Sequence, residues 1–229
     1  MWDADTGRLT RKLLHESVSG PVFAVAFSPN GKLLATGGAD RAARFWDPQT
    51  GEQLGLPLRH HTSVTSLTFT PDGRRVITGD ADQDVQVWDV ETRTRAMLLS
   101  GHRGGVSHVS VSPDGAIILT GSRDGSARLW SATTGKPIGP TLSHSSPVAR
   151  ALFSHDGKNI LTATQDQVTR SWAVPTEAAG SARELELRAQ IATGMELEEN
   201  GGIHILDAAE WRSRRKALNH AINSSDPNK

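Results

Sequence analysis

TGSRDGSARLW, residues 120–130, sets Ser122, Arg123 and Asp124 side by side a few positions ahead of a tryptophan. A hydroxyl, a base and an acid so close together read either as a reactive site or as a tight turn. The same stretch returns as TGGADRAARFW from Thr36, TGDADQDVQVW from Thr78 and TATQDQVTRSW from Thr162, each with Asp six residues and Thr ten residues before Trp. A reactive centre is rarely copied four times, so the repeat decides the fold.

Trp2, Trp46, Trp88, Trp130 and Trp172 are spaced by 44, 42, 42 and 42 residues, a period suited to four-stranded propeller blades. Within one period, segments such as VTSLTFTPDG, RRVITGDADQ and DVQVWDVET alternate apolar residues with turn signals, and RAMLLSGH precedes the next period. They read as strands a, b, c and d. The corners Pro29–Gly31, Pro71–Gly73 and Pro113–Gly115 place proline where its ring sets φ and glycine where φ is positive, which predicts tight a-to-b turns. The fourth period carries His155-Asp156-Gly157 there, keeping the glycine and losing the proline.

Gly101-His102, the pairs Trp46-Asp47 and Trp88-Asp89, and the spacing between them resemble the WD-repeat β-propeller family over residues 1 to about 172. The chain departs from that pattern at Leu14-His15, Arg59-His60 and Ser143-His144, and at Ser131 and Ala173, which come directly after Trp130 and Trp172. The resemblance implies an all-β fold of four blades in a partial or open propeller. It also implies a structural tetrad in each blade, in which Asp of the b-to-c turn holds a His, the His meets a strand-b hydroxyl, and the hydroxyl meets the Trp indole. Carried onto this sequence, the sets are Asp40, His15, Thr36 and Trp46; Asp82, His60, Thr78 and Trp88; Asp124, His102, Thr120 and Trp130; and Asp166, His144, Thr162 and Trp172.

Ser or Thr, His and Asp are also the parts of a nucleophilic triad. A nucleophile must face solvent beside an oxyanion site, whereas these threonines lie in strands that alternate toward the blade interior. The tetrapeptide from Ser122 to Gly125 is therefore read as a turn and no catalytic residue is expected. The periodic histidines stand a blade apart, too far to share a tetrahedral ion, so neither metal nor cofactor is expected. No glycine-rich phosphate loop and no kinase catalytic motif occurs in the chain.

The 25 basic and 25 acidic residues balance, which gives no reason to expect nucleic acid or an anionic membrane as partner. The chain has no cysteine, no signal-peptide core and no apolar run of about 18 residues, so a cytoplasmic protein is the expectation. Composition shifts after Val174 toward helix formers, dividing the chain into propeller blades at 1–174 and a helical extension at 175–229. Leu185, Ile191 and Met195 suggest one helical face, Gly201-Gly202 a break between two helices, and Asp207–Glu210 a capped helix start running toward Ala221. RSRRK, residues 212–216, reads as a solvated helix face.

The function expected of such an array is a protein-interaction scaffold with its contacts on loop tips. The resemblance places contacts at the residue before the turn Asp, here Ala39, Ala81, Arg123 and Gln165, and at the second residue of strand a, here Phe23, Thr65, Ser107 and Ala149. Arg123 and Phe23 are the strongest anchors by residue type. The alternative is a C-terminal regulatory piece of a larger bacterial serine/threonine kinase, since residues 193–218 resemble the segment C-terminal to the array in such proteins. Pro175 and its small neighbours make a poor fourth strand in the last repeat, and residues 8–14 read as a spare strand d. The expectation is an open arc cut from a longer array, prone to associate through its uncovered edges, rather than a ring closed by residues 8–14 pairing beside Trp172.

Overall fold

The computed structural model describes residues 1, 5–13, 15, 20–175, 190, 195–197 and 203–224. The expected features at Trp2, Asp3, Leu14, Leu185, Ile191, Gly201 and Gly202 lie outside them. Two compact units divide the chain, Met1–Val174 and Pro175–Lys229.

The first unit is four antiparallel sheets forming the blades of an open β-propeller. Blade 1 comprises β1 (Val22–Phe27), β2 (Leu34–Gly38), β3 (Ala42–Trp46) and β4 (Leu58–Arg59). Blade 2 comprises β5 (Val64–Phe69), β6 (Arg75–Asp80), β7 (Val85–Asp89) and β8 (Arg95–Leu99). Blade 3 comprises β9 (Val106–Val111), β10 (Ile117–Ser122), β11 (Ser126–Ser131) and β12 (Pro137–Ser143). Blade 4 has three strands, β13 (Val148–Phe153), β14 (Asn159–Thr164) and β15 (Thr169–Ala173). Among the described residues no strand d follows β15, and Pro175, two residues beyond it, has no N–H to give a ladder.

The a-to-b turns repeat one design. In blade 2 the Thr70 hydroxyl donates to Asp72 at 2.6 Å, the Arg74 amide donates to the same carboxylate at 3.0 Å, and Gly73 adopts φ 70°. Blade 4 builds the same turn without proline, from Ser154, Asp156 and Gly157.

Three apolar clusters lie between consecutive blades. The one between blades 1 and 2 joins Ala43 and Phe45 to Leu67, Phe69 and Trp88. Val85 and Val87 meet Val106, Val109 and Trp130 between blades 2 and 3. Leu129 meets Val148, Ala151 and Ile160 between blades 3 and 4. Strand a of each blade thus packs on strand a of the next, β1 on β5, β5 on β9 and β9 on β13, with no equivalent packing of β13 on β1. The arc is open, as the pattern predicts. Residues 8–13 add no strand to blade 4; instead the Arg11 guanidinium donates to the Thr50 carbonyl of blade 1 at 2.5 Å.

In the second unit Gln190 is helical, but one position expected on a helical face differs. Met195 lies in β16 (Met195–Leu197), which pairs antiparallel with β17 (Ile203–Ile205). Met-Glu-Leu and Ile-His-Ile alternate with period two, and cross-strand pairing of such triplets outweighs the helix propensity of single residues. The helix α1 (Ala208–Ser224) begins where expected. Asp207 accepts from the Ala209 and Glu210 amides at 2.7 and 2.9 Å, and Glu210 accepts from the Asp207 amide at 2.9 Å, a reciprocal capping box. No helix among the described residues is long and apolar enough to cross a membrane.

Candidate functional site

The strand-b threonines occupy the buried centre of each blade; Thr78, Thr120 and Thr162 have no exposed surface. In blade 3 the four residues form one chain of hydrogen bonds. The Trp130 indole N–H donates to Thr120 Oγ1 at 2.9 Å, Thr120 Oγ1 lies 2.7 Å from His102 Nε2, and His102 Nδ1 lies 3.0 Å from Asp124 Oδ2. A carboxylate only accepts, so Nδ1 carries the proton, Nε2 accepts from Thr120, and the threonine oxygen accepts from the indole. Burial raises the Asp124 pKa, but the Ser126 hydroxyl, the Arg103 amide and His102 outweigh it and hold the carboxyl at about 2. Burial pushes His102 down against the opposing pull of Asp124. Blade 1 has the same chain, with His15 at 2.7 Å from Thr36 and 3.2 Å from Asp40, and Trp46 donating to Thr36 at 2.7 Å. There the buried Arg44 guanidinium also donates to Asp40; burial opposes ionisation, yet Arg44 and His15 keep the carboxyl below its usual range.

Blade 2 keeps only the indole–threonine end as predicted, and blade 4 keeps that end and the histidine–threonine contact but not the histidine–aspartate one. Trp88 donates to Thr78 at 3.0 Å, but the acid nearest His60 is Asp80, at 3.9 Å, and Asp82 instead donates its own amide to Asp80 at 3.1 Å. Gln86 Nε2 takes the position beside His60 Nδ1 at 3.2 Å. The replacement has a steric logic: Asp80 ends the strand facing inward, and Asp82, two residues on, stands exposed. In blade 4, His144 lies 2.8 Å from Thr162 and Trp172 donates to Thr162 at 2.9 Å, while Asp166 turns to the Thr164 hydroxyl.

These hydroxyls are committed and buried, so the arrangement supports packing and offers no accessible nucleophile. At the end of the propeller where strands a begin, geometry of another kind recurs. The amides of Ala39, Ala81, Arg123 and Gln165 donate to the carbonyls of Pro21, Ser63, Gly105 and Pro147, at 3.0, 2.8, 2.9 and 3.0 Å. Each residue before the turn position is pinned to the start of its own strand a. The Arg123 and Gln165 side chains are exposed.

The second strand-a positions divide. Thr65 donates toward the Gly79 carbonyl at 3.0 Å and the Val106 carbonyl at 2.5 Å, and Ser107 is placed likewise between Gly121 and Val148. Each hydroxyl bridges to the next blade, a use that composition at that position does not reveal. Ala149 is half-buried, and Phe23 is exposed. Phe23 and Thr65 line an axial cavity of about 240 Å³ together with Ser66, His108 and Arg150, one wall from each blade. His108 is held on the Ala151 carbonyl at 2.9 Å, and burial lowers its pKa. Sequence reading missed His108 and Arg150; both occupy the third position of strand a, two residues after Val106 and Val148, and that shared register was the available signal.

The family model described as WD domain, G-beta repeat matches residues 7–47, 52–89 and 93–131, just over half of the chain. The chain belongs to the WD-repeat family. Propellers of this family generally serve as scaffolds for protein interaction. The match ends before blade 4, the blade that lacks the turn proline and has three strands among the described residues. Among curated relatives, the Periodic tryptophan protein 2 homolog of Neurospora crassa is 40% identical over 68 residues, which is 29% of this chain and 7% of that protein. The homolog of the same name from Schizosaccharomyces pombe is 38% identical over 68 residues, 29% of this chain and 8% of that one. An uncharacterized WD repeat-containing protein of Nostoc sp. is 45% identical over 49 residues, 21% of this chain and 3% of that protein. The chain thus spans less than a tenth of the length of each of these relatives.

Proposed function

We propose that this chain is a non-catalytic protein-interaction scaffold whose partner binds the propeller end where strands a begin. The observation that carries the reading is the axial cavity, which the exposed ring of Phe23 lines together with Arg150 and His108. An aromatic ring and a guanidinium in one concave site are the residue types that anchor interfaces. Arg123 and Gln165 stand at the same end on backbone fixed by the turn-to-strand hydrogen bonds, so little ordering entropy is lost when a partner closes on them. A partner segment presenting a carboxylate to Arg150 and an apolar group to Phe23 matches this chemistry.

Affinity capture from cell extract followed by calorimetry with the purified partner tests the proposal. Phe23→Ala and Arg150→Ala are each expected to weaken binding at least tenfold while the melting temperature holds. Parental affinity in both variants would overturn it.

A further inference from the structure

The three interfaces inside the propeller share one construction. One blade offers a glycine in strand b and two apolar residues in strand c, and the next blade inserts the first residue of its strand a against that glycine. A Cβ on Gly37 would stand 2.5 Å from Val64 Cγ1, one on Gly79 2.5 Å from Val106 Cγ1, and one on Gly121 2.8 Å from Val148 Cγ1. The strand-c pairs are Ala43 and Phe45, Val85 and Val87, and Ala127 and Leu129, all buried.

The two outer faces do not complement each other. On blade 1, Val22, Val25 and Phe27 are 49%, 64% and 55% exposed, whereas their counterparts Val64, Leu67 and Phe69 are 0%, 7% and 7% exposed. This is the inserting half of an interface; among the described residues Met1 and Leu13 border it and leave its three apolar side chains about half exposed or more. On blade 4 the receiving half is altered. Ala163 pairs with Thr169, and Leu161 with Ser171, in the register by which Gly121 pairs with Ala127 and Leu119 with Leu129. Alanine thus replaces the glycine, and two hydroxyls replace the apolar strand-c pair.

We propose that the outer face of blade 1 is a docking surface for another WD-type blade, one with glycine in strand b and an apolar strand c, and that blade 4 of a second copy of this chain is excluded from it. Seating Val22 on Ala163 would force a methyl group into space that the other interfaces leave empty. It would also bury Thr169 and Ser171 against valine and phenylalanine, which offer no hydrogen bond. The outer face of blade 4 still exposes Leu161, at 44%, so it is the loss of the glycine and of the apolar strand-c pair that sets it apart from a receiving face. Of Val22, Val25 and Phe27, Val25 alone also lines the axial cavity, and neither Phe23 nor Arg150 is altered in the test, so either reading can fail alone.

The probe is the full-length chain with Ala163→Gly, Thr169→Ala and Ser171→Leu, which gives blade 4 the receiving residues of blade 3. The unaltered chain is expected to show no end-to-end contact. The triple variant is expected to cover β1 of a second copy or of its own chain, slowing amide exchange at residues 23–27 by at least about tenfold. Val25→Asp in the triple variant should return that exchange to the parental rate. Unchanged exchange in the triple variant overturns the proposal, as does cross-linking of position 25 to position 163 between unaltered chains.

Discussion

His102 Nδ1 stands 3.0 Å from Asp124 Oδ2, whereas the corresponding His144 makes its hydrogen bond to Thr162 and Asp166 bonds elsewhere. The same four residue types therefore do unequal work in two blades. His102→Ala is expected to lower stability by about 1–3 kcal/mol, because it removes the imidazole acceptor of the buried Thr120 hydroxyl and one of the donors to Asp124. Asp124→Ala should act in the same direction, and Asp82→Ala and Asp166→Ala should leave the unfolding midpoint where it is. Urea titrations of the four variants check this; equal losses in all four would show that the blades are alike after all.

Gly79 lies where a Cβ would meet Val106 Cγ1 at 2.5 Å and Val109 Cγ1 at 3.2 Å. Gly79→Ala is expected to cost about 1–3 kcal/mol by overpacking. Ala163→Gly, on the uncovered face, should shift stability far less. Thermal melts of the two variants make the comparison, and a Gly79→Ala protein as stable as its parent would contradict the close approach.

Burial lowers the pKa of His102, His108 and His144 in the folded chain. The unfolded chain then binds more protons than the folded one below the ordinary histidine pKa of 6.5. Stability from these groups is complete above that pH and is lost as pH falls from it toward the lowered folded values. Asp124, held at about 2, has the carboxylate sign: its contribution is present above the ordinary value of 3.8 and is lost as pH falls through about 2. Denaturation midpoints measured between pH 7.5 and 5 should therefore decline, and less steeply in His102→Gln. A flat profile would rule out buried neutral histidines.

Arg123 is exposed at the strand-a end of blade 3 on backbone tied to Gly105. Arg123→Ala should weaken binding to a captured partner by about 1 kcal/mol or more without changing the melt. Calorimetry decides the matter, since parental affinity would leave Arg123 a solvated side chain.

Periodicity alone determined the blades. Trp at intervals of 42, glycine at each a-to-b corner and Thr ten residues before Trp are local relations, carried by turn geometry and by residues on the two adjacent strands of one hairpin. The indole–threonine bond accordingly forms in all four blades. The histidine and its acid belong to segments more than twenty residues apart, so their meeting depends on how each turn folds: Asp124 reaches His102, and Asp80 displaces Asp82 beside His60. Tertiary structure also decided what Thr65 and Ser107 do, because their acceptors lie in the next blade, and it brought Phe23, His108 and Arg150 from three blades to one cavity. The hairpin at Met195–Ile205 was hidden for the same reason: three-residue strands carry too little pattern to outweigh helix propensity until their partner is in place.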